Sequence, residues 1–203
     1  MKRTFFILVL FIQFQLTVTS CQSAAKLAYG VKAPRLESDA SVKQYLRKNK
    51  VSVDTVYYFK DILAFAQASK MKLLSFPDAL FFNENGQMVS YKKSAEDCNA
   101  GVDHFIKDLK NLSNAPDPEA VTLSDLSNLL LTNLPSNSNR ITVVLTFTIY
   151  SGRVNDDHAF AWIALLDQAK KNNVAVDYYL LNCDYQKSWN LNQKLIDKLG
   201  IKD

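Results

Sequence analysis

The sequence predicts an α/β domain with parallel strand pairing, and three observations carry that reading. Residues 141–149 (Ile-Thr-Val-Val-Leu-Thr-Phe-Thr-Ile) are β-branched and apolar, the composition of a buried strand. A stretch with Ala159, Trp162, Ile163, Leu166 and Ala169 at helical spacing follows, then a second apolar run over 174–181. Strand, helix and strand at this spacing form a right-handed parallel unit, and the near-continuous apolar second run suggests burial on both faces. Upstream, Asn83-Glu84-Asn85-Gly86 separates the apolar runs 79–82 and 87–91, and Asn-Gly in that setting marks a hairpin. The 203 residues, 48% hydrophobic and 22% charged, suit one ordinary globular domain and exclude a disordered chain.

The first twenty residues read as a secretory signal. Lys2 and Arg3 give a positive start, 5–12 is an unbroken apolar run, and small residues follow up to Ser20. A permanent span needs about 20 mostly apolar residues, and Gln13 and Gln15 would carry unsatisfied amides into lipid. Residues 22–38 have little periodicity and hold Gly30 and Pro34, so 21–38 is expected to be a flexible tether ahead of a single domain over 39–203.

Within the domain, 41–48 reads as a short helix and 53–59 as a strand rich in Val and Tyr. Asp61 caps a helix with Ile62, Phe65 and Ala66 on one side. After the hairpin, Ser94-x-x-Asp97 resembles a capping box ahead of the stripe Val102, Phe105, Ile106, Leu109 and Leu112. Turn-forming stretches at 111–119 and 132–140 bracket Leu123, Leu126, Leu129 and Leu130, with Ser124 the expected cap. Asn155 or Asp156 caps the helix of the second half, and a last helix carrying Leu191, Leu195, Ile196 and Leu199 stops at Gly200.

Composition removes several function classes. Five Gly and five Pro leave no Gly-rich phosphate loop and no Pro-rich ligand tract. Two His and three Cys are too few for a four-ligand zinc module at regular spacing, and no cofactor is implied. The net charge is +4; of the 24 basic residues, 22 remain without Lys2 and Arg3, against 20 acidic, a balance of +2. These charges are mixed along the chain instead of gathered in a basic block, so no nucleic-acid partner is expected.

Val18-Thr19-Ser20-Cys21 resembles the lipobox of bacterial lipoproteins: an aliphatic residue, two small ones and a cysteine, placed directly after the signal-like core. The resemblance implies a diacylglyceryl group on the Cys21 thiol, cleavage before it and acylation of the new amine. Such an anchor holds a protein on a membrane surface without spanning it. Gln22 is not the aspartate that commonly retains lipoproteins in the inner membrane, so an outer membrane is favoured, with the domain facing the periplasm or the surface. The plain alternative is an ordinary secretory signal with Cys21 a simple thiol.

A second resemblance lies in the domain. Phe147-Thr148-Ile149-Tyr150-Ser151-Gly152-Arg153-Val154, then a helix, then 176–184 ending in Asn182-Cys183-Asp184, resembles the first half of a thioredoxin-like domain. There a strand ends in an aromatic residue and a Cys-x-x-Cys pair, followed by a helix and a strand ending near an aspartate. Phe76-Pro77-Asp78-Ala79-Leu80-Phe81-Phe82 with Asn85-Gly86-Gln87 resembles the cis-proline, strand, turn and strand of the second half. Two departures matter. Ser151 and Val154 stand where the cysteines would, and neither side chain can attack a disulfide or resolve a mixed one. The halves also come in reversed order, which fits a circular permutation, two incomplete domains or another α/β fold. One mixed sheet of about five strands flanked by helices is the expectation, because neither half alone buries enough apolar surface.

The resemblance places a binding groove at Pro77, Tyr150, Ser151, Gly152, Arg153 and Asp184, and implies a binding module without redox chemistry whose partner is an envelope protein, a peptide or a small ligand; a purely structural surface lipoprotein is a further reading. A different class of function, a thiol-disulfide oxidoreductase, would use Cys98 and Cys183 in place of the usual pair. Cys98 falls in the first turn of its expected helix, where the dipole lowers a thiol pKa. The same thiols also read as a structural disulfide or as two inert buried groups. Asn155-Asp156-Asp157-His158 invites a metal or acid/base reading, yet acidic and amide residues at a helix start are ordinary caps. His104 and His158 are the only imidazoles. The segment 184–189 follows a strand end, where α/β folds bind ligands, and reads equally as a packed turn anchored by Trp189. Ser151 lacks the Gly-x-Ser-x-Gly setting of a hydrolase nucleophile.

Overall fold

The structure is a computed structural model describing residues 28–92, 101–111, 121–135, 137 and 139–202. Among these, the elements are β1 (Leu36–Glu37), α1 (Asp39–Lys48), β2 (Val56–Tyr58), α2 (Ile62–Lys70), β3 (Asp78–Phe82), β4 (Met88–Val89) and α3 (Val102–Lys107). They continue with α4 (Leu123–Ser127), β5 (Ile141–Phe147), α5 (Ala161–Lys171), β6 (Val176–Asn182), β7 (Tyr185–Gln186) and α6 (Gln193–Leu199). Five strands make the main sheet in the order β2-β6-β5-β3-β4. β2, β6 and β5 run parallel, while β3 lies antiparallel to both β5 and β4.

β5 is the central strand, and all seven of its residues are buried. Alternation along it feeds two cores: Ile141, Val143, Leu145 and Phe147 face one side, and Val144 the other. On the first side α1, α3 and α5 close the layer, with Val42, Ile106, Trp162 and Leu166 packed with Phe81 and Leu145. On the second, Ala64, Ala68 and Leu126 from α2 and α4 cover Leu80, Phe82, Leu181 and Cys183. The result is the mixed α/β sheet with flanking helices expected from the sequence, consistent with a thioredoxin-like fold. The strand-helix-strand half (β5, α5, β6) and the hairpin half (β3, β4) join into one sheet through the β3–β5 pairing, with the hairpin half first in the chain.

Several local expectations shift for identifiable reasons. The strand expected over 53–59 is regular only at Val56–Tyr58, the three residues that pair with Leu180–Asn182 of β6. Residues Asp177, Tyr178 and Tyr179 of β6 therefore have no neighbour on that edge and are half-buried, so burial on both faces is reached only in its second half. Thr122, not Ser124, caps α4, in a capping box with Asp125, which places Leu123 and Leu126 both inside the helix and both in the core. Asn155 caps nothing: its backbone is already helical, and the chain enters α5 through a π-helical turn, Asp156–Phe160. Gly86 (φ +74°) supplies the hairpin's positive φ, while Asn83 Oδ1 accepts from the Asn85 and Gln87 backbone N–H groups. The expected capping box at Ser94 and Asp97, and Leu112, lie outside the described residues.

The stretch read as a tether is, from residue 28 onward, packed on the domain. β1 pairs in parallel with β7, and Lys202 N–H donates to Pro34 O at 2.9 Å. Among the described residues no helix is long and apolar enough to cross a membrane.

Candidate binding site

The site forms where β5 ends. After Phe147 the chain turns through a 3-10 segment, Ile149–Ser151, and reaches Gly152 at φ 60°, ψ −135°, a region essentially reserved for glycine. Thr146, the penultimate residue of β5, ties this end to the loop before β3. Its hydroxyl donates to Ser75 O at 2.6 Å and accepts from Asp78 N–H at 3.1 Å. The intervening Phe76-Pro77 peptide is cis, Pro77 is buried, and the Phe76 ring stands edge-on to Tyr150 with centroids 6.0 Å apart. The structure thus brings the Pro77 loop and the 150–153 turn together, as the resemblance implies.

Beneath the turn lies a buried polar set. Asp184, 1% exposed, accepts from Ile149 N–H at 2.8 Å and from Asn182 Nδ2 at 2.7 Å. Gln186 Nε2 donates to Asn182 Oδ1, holding that amide in place. Burial pushes the Asp184 carboxyl up to about 6, against the pull of the Ile149 N–H and Asn182, with nearby Glu37 adding to the rise. On the other side, Tyr45 of α1 donates its hydroxyl to Gly152 O at 3.0 Å and accepts from Asn155 Nδ2, which also donates to Thr148 O. Burial raises the pKa of both Tyr45 and Tyr150. The turn is therefore held by side chains from α1, from the start of the π-helical turn and from the end of β6.

Ser151, which stands in one of the two cysteine places, and the Cys183 thiol are both buried. Ser151 is 6% exposed, and its Oγ shares a 2.6 Å hydrogen bond with Thr148 Oγ1. Cys183 is a free thiol, 2% exposed, donating weakly to Leu181 O, and burial pushes its pKa well up. That environment opposes the thiolate an exchange reaction needs. Cys98 and Cys21 lie outside the described residues.

Across the top of the turn runs the chain's own segment 28–32. Lys32 N–H donates to Tyr150 O at 2.8 Å, Arg153 N–H donates to Tyr29 O at 2.8 Å, and the Arg153 guanidinium donates to Ala28 O. A Cβ on Gly152 would stand 2.5 Å from Tyr29 O and 2.6 Å from Gly30 O, so the close approach depends on glycine.

The remaining candidates are placed elsewhere or packed. His158 rests against Trp162 with ring centroids 5.7 Å apart, and Asp156 and Asp157 beside it are exposed. No group of three or more His, Cys, Asp or Glu that could hold a metal occurs among the described residues. Trp189 donates to Phe59 O and packs against Phe65 and Tyr185, which makes 184–189 a packed turn. A separate cleft between the end of α1 and the approach to β2 is lined by Lys43, Arg47, Lys50 and Val53, where the cations complement the helix C-terminus. Tyr45 and the 28–32 segment leave no signal in the sequence, and the buried hydrogen bonds of Thr148, Asn155 and Asn182 are not legible there. Only the strained Gly152, between Ser151 and Arg153, hints that something passes close by.

No family model matches the chain, and no curated protein or solved structure is significantly similar to it. The functional reading accordingly rests on the turn, its supports and the four-residue resemblance at Cys21.

Proposed function

We propose that the protein is a bacterial envelope lipoprotein, anchored by acyl chains on Cys21, whose thioredoxin-like domain acts by binding and not by thiol–disulfide exchange. The observation that carries the second part is the 150–153 turn. The Ser151 hydroxyl is buried against Thr148, and what the turn offers outward is main chain: Tyr150 O and Arg153 N–H, both engaged by main-chain groups of residues 29 and 32. Main-chain donors and acceptors of this kind recognise polypeptide. The partner is therefore a protein or peptide of the envelope, and the membrane is reached through the lipid.

The test is catalytic exchange. The mature chain and a Cys98→Ala/Cys183→Ala variant are each assayed for turnover of a small disulfide under reducing conditions. The expected result is no catalysed exchange by either. A rate above background that disappears in the variant would establish an oxidoreductase and end the binding reading.

A further inference from the structure

We propose that the open edge of β6 is a docking site for an extended peptide whose residues alternate between acidic and apolar, a site separate from the 150–153 turn. The main chain dictates its position. Ile141 N–H donates to Ala175 O and Cys183 N–H donates to Phe147 O, so the odd-numbered residues of β6 turn their main-chain groups toward β5. The even-numbered ones face the opposite edge. There β2 covers Leu180 and Asn182, while Val176 N–H donates to Val174 O and Val176 O accepts from the Arg140 guanidinium. Tyr178 lies between, beyond the end of β2, and among the described residues its N–H and C=O have no main-chain partner on this edge. Residues 52–55 do not close the gap: they line one wall of a cleft of about 370 Å³ whose other wall is Tyr178, Tyr179 and Leu180. A donor and an acceptor on one residue of a strand edge, opening into a cleft, are the groups to which an extended polypeptide adds.

The side chains around the edge set the peptide's chemistry. Val53, Val56 and Tyr178 pack on the face of the sheet that α1 and α5 cover, and the free cations belong to that face. Lys170 Nζ of α5 stands 4.3 Å from the centre of the Tyr178 ring. Lys43, Arg47 and Lys50 of the α1 end rim an adjoining cleft of about 420 Å³, which shares residues 52–54 with the first. Among the described residues Asp54 is the one carboxylate lining these two clefts. Lys43 is paired with Asp39, whereas Arg47, Lys50 and Lys170 have no acidic partner among the described residues. Of the other acids nearby, Asp167 accepts from the Tyr178 hydroxyl and Asp177 is held by Arg140. On the opposite face the edge is bordered by Tyr57 and Tyr179, packed edge-on with ring centroids 5.5 Å apart. Successive side chains of an added strand point to the two faces in turn. Carboxylates at alternate positions then fall on the side of Lys170, Arg47 and Lys50, and the apolar side chains between them fall on the side of Tyr57 and Tyr179. Tyr178 stands about 20 Å from Asp184 along the strand, so this site shares no residue with the turn.

The test uses the mature chain and a labelled peptide, Thr-Glu-Val-Glu-Val-Glu-Thr, blocked at both ends. In the free protein the Tyr178 amide is expected to exchange hydrogen at least about ten-fold faster than those of Asp177 and Tyr179, which face β5. Saturation with the peptide is expected to slow Tyr178 exchange to their rate. By fluorescence anisotropy, replacing the three Glu of the peptide with Lys is expected to weaken binding at least about ten-fold. The exposed-site variant Arg47→Glu/Lys170→Glu is expected to weaken binding of the acidic peptide by a similar factor. Tyr178 exchange equal to that of its neighbours in the free protein, or unchanged at saturation, would overturn the proposal. So would equal affinity for the two peptides, equal affinity of the two proteins, or no binding up to about 1 mM peptide. Each of these failures leaves the exchange-inactive reading standing, because disulfide turnover is measured separately.

Discussion

Gly152 concentrates the physics of the site in one residue. Its φ of 60° with ψ of −135° strains any residue with a Cβ, and a methyl there also meets two backbone oxygens. Gly30, also at positive φ (+65°), has nothing within 4 Å of a built Cβ, so it serves as an internal control. Gly152→Ala is expected to cost about 2–4 kcal/mol in chemical denaturation, and Gly30→Ala about 1 kcal/mol. Equal costs would show that the backbone of Tyr29 and Gly30 does not press on the turn. At this scale the sequence was partly legible. Ser151 and Val154 could be read as incapable of exchange from residue type alone, and burial of Ser151 adds a second reason. The support by Tyr45 was not legible, because its partner Gly152 lies 107 residues away and the bond uses a backbone carbonyl.

Among elements, Asp184 is the joint. It follows β6, precedes β7 and accepts from the turn after β5, so one carboxylate links three pieces of the site. Its folded pKa of about 6 lies above its ordinary 3.8, so between those values the folded chain holds more protons than the unfolded one. The contribution of this group to stability is therefore greatest below pH about 4. It falls as pH rises and is lower by up to about 3 kcal/mol once pH exceeds about 6. Asp39, Asp125 and Asp177, held low by hydrogen bonds from Lys43, Thr122 and Arg140, act in the opposite sense and mask the effect in the total. The difference between the unaltered chain and Asp184→Asn isolates it. That difference is expected to move against the unaltered chain as pH goes from 4 to 7, and a constant difference would place the carboxyl in ordinary solvent. Periodicity made α5 readable, and β5 was readable because a strand buried on both faces is a near-continuous run of apolar and β-branched residues. It failed at 28–38, where docking uses backbone hydrogen bonds and a two-residue ladder that leave no pattern in the side chains. It failed again at Asp156–Phe160, where capping-type residues stand within a π-helical turn.

For the molecule as a whole, the hairpin and the strand-helix-strand unit join in one sheet, because β3 pairs with β5 across the whole of its length. The hairpin and the strand-helix-strand unit were each legible from local sequence. Their union was not, since antiparallel pairing between strands about sixty residues apart is written only in matched burial patterns. The proposed anchor also fixes an orientation. Cys21 precedes Ala28 by seven residues, which span about 25 Å at most when extended, so an acylated Cys21 would keep the 150–153 turn near the bilayer surface. The most direct measurement is the intact mass of the protein extracted with detergent from the membranes of a bacterium producing it. The expected species begins at Cys21 and carries a diacylglyceryl thioether with an acylated amine. A freely soluble chain with an unmodified thiol at its amino terminus, or one retaining residues 1–20, would contradict the account.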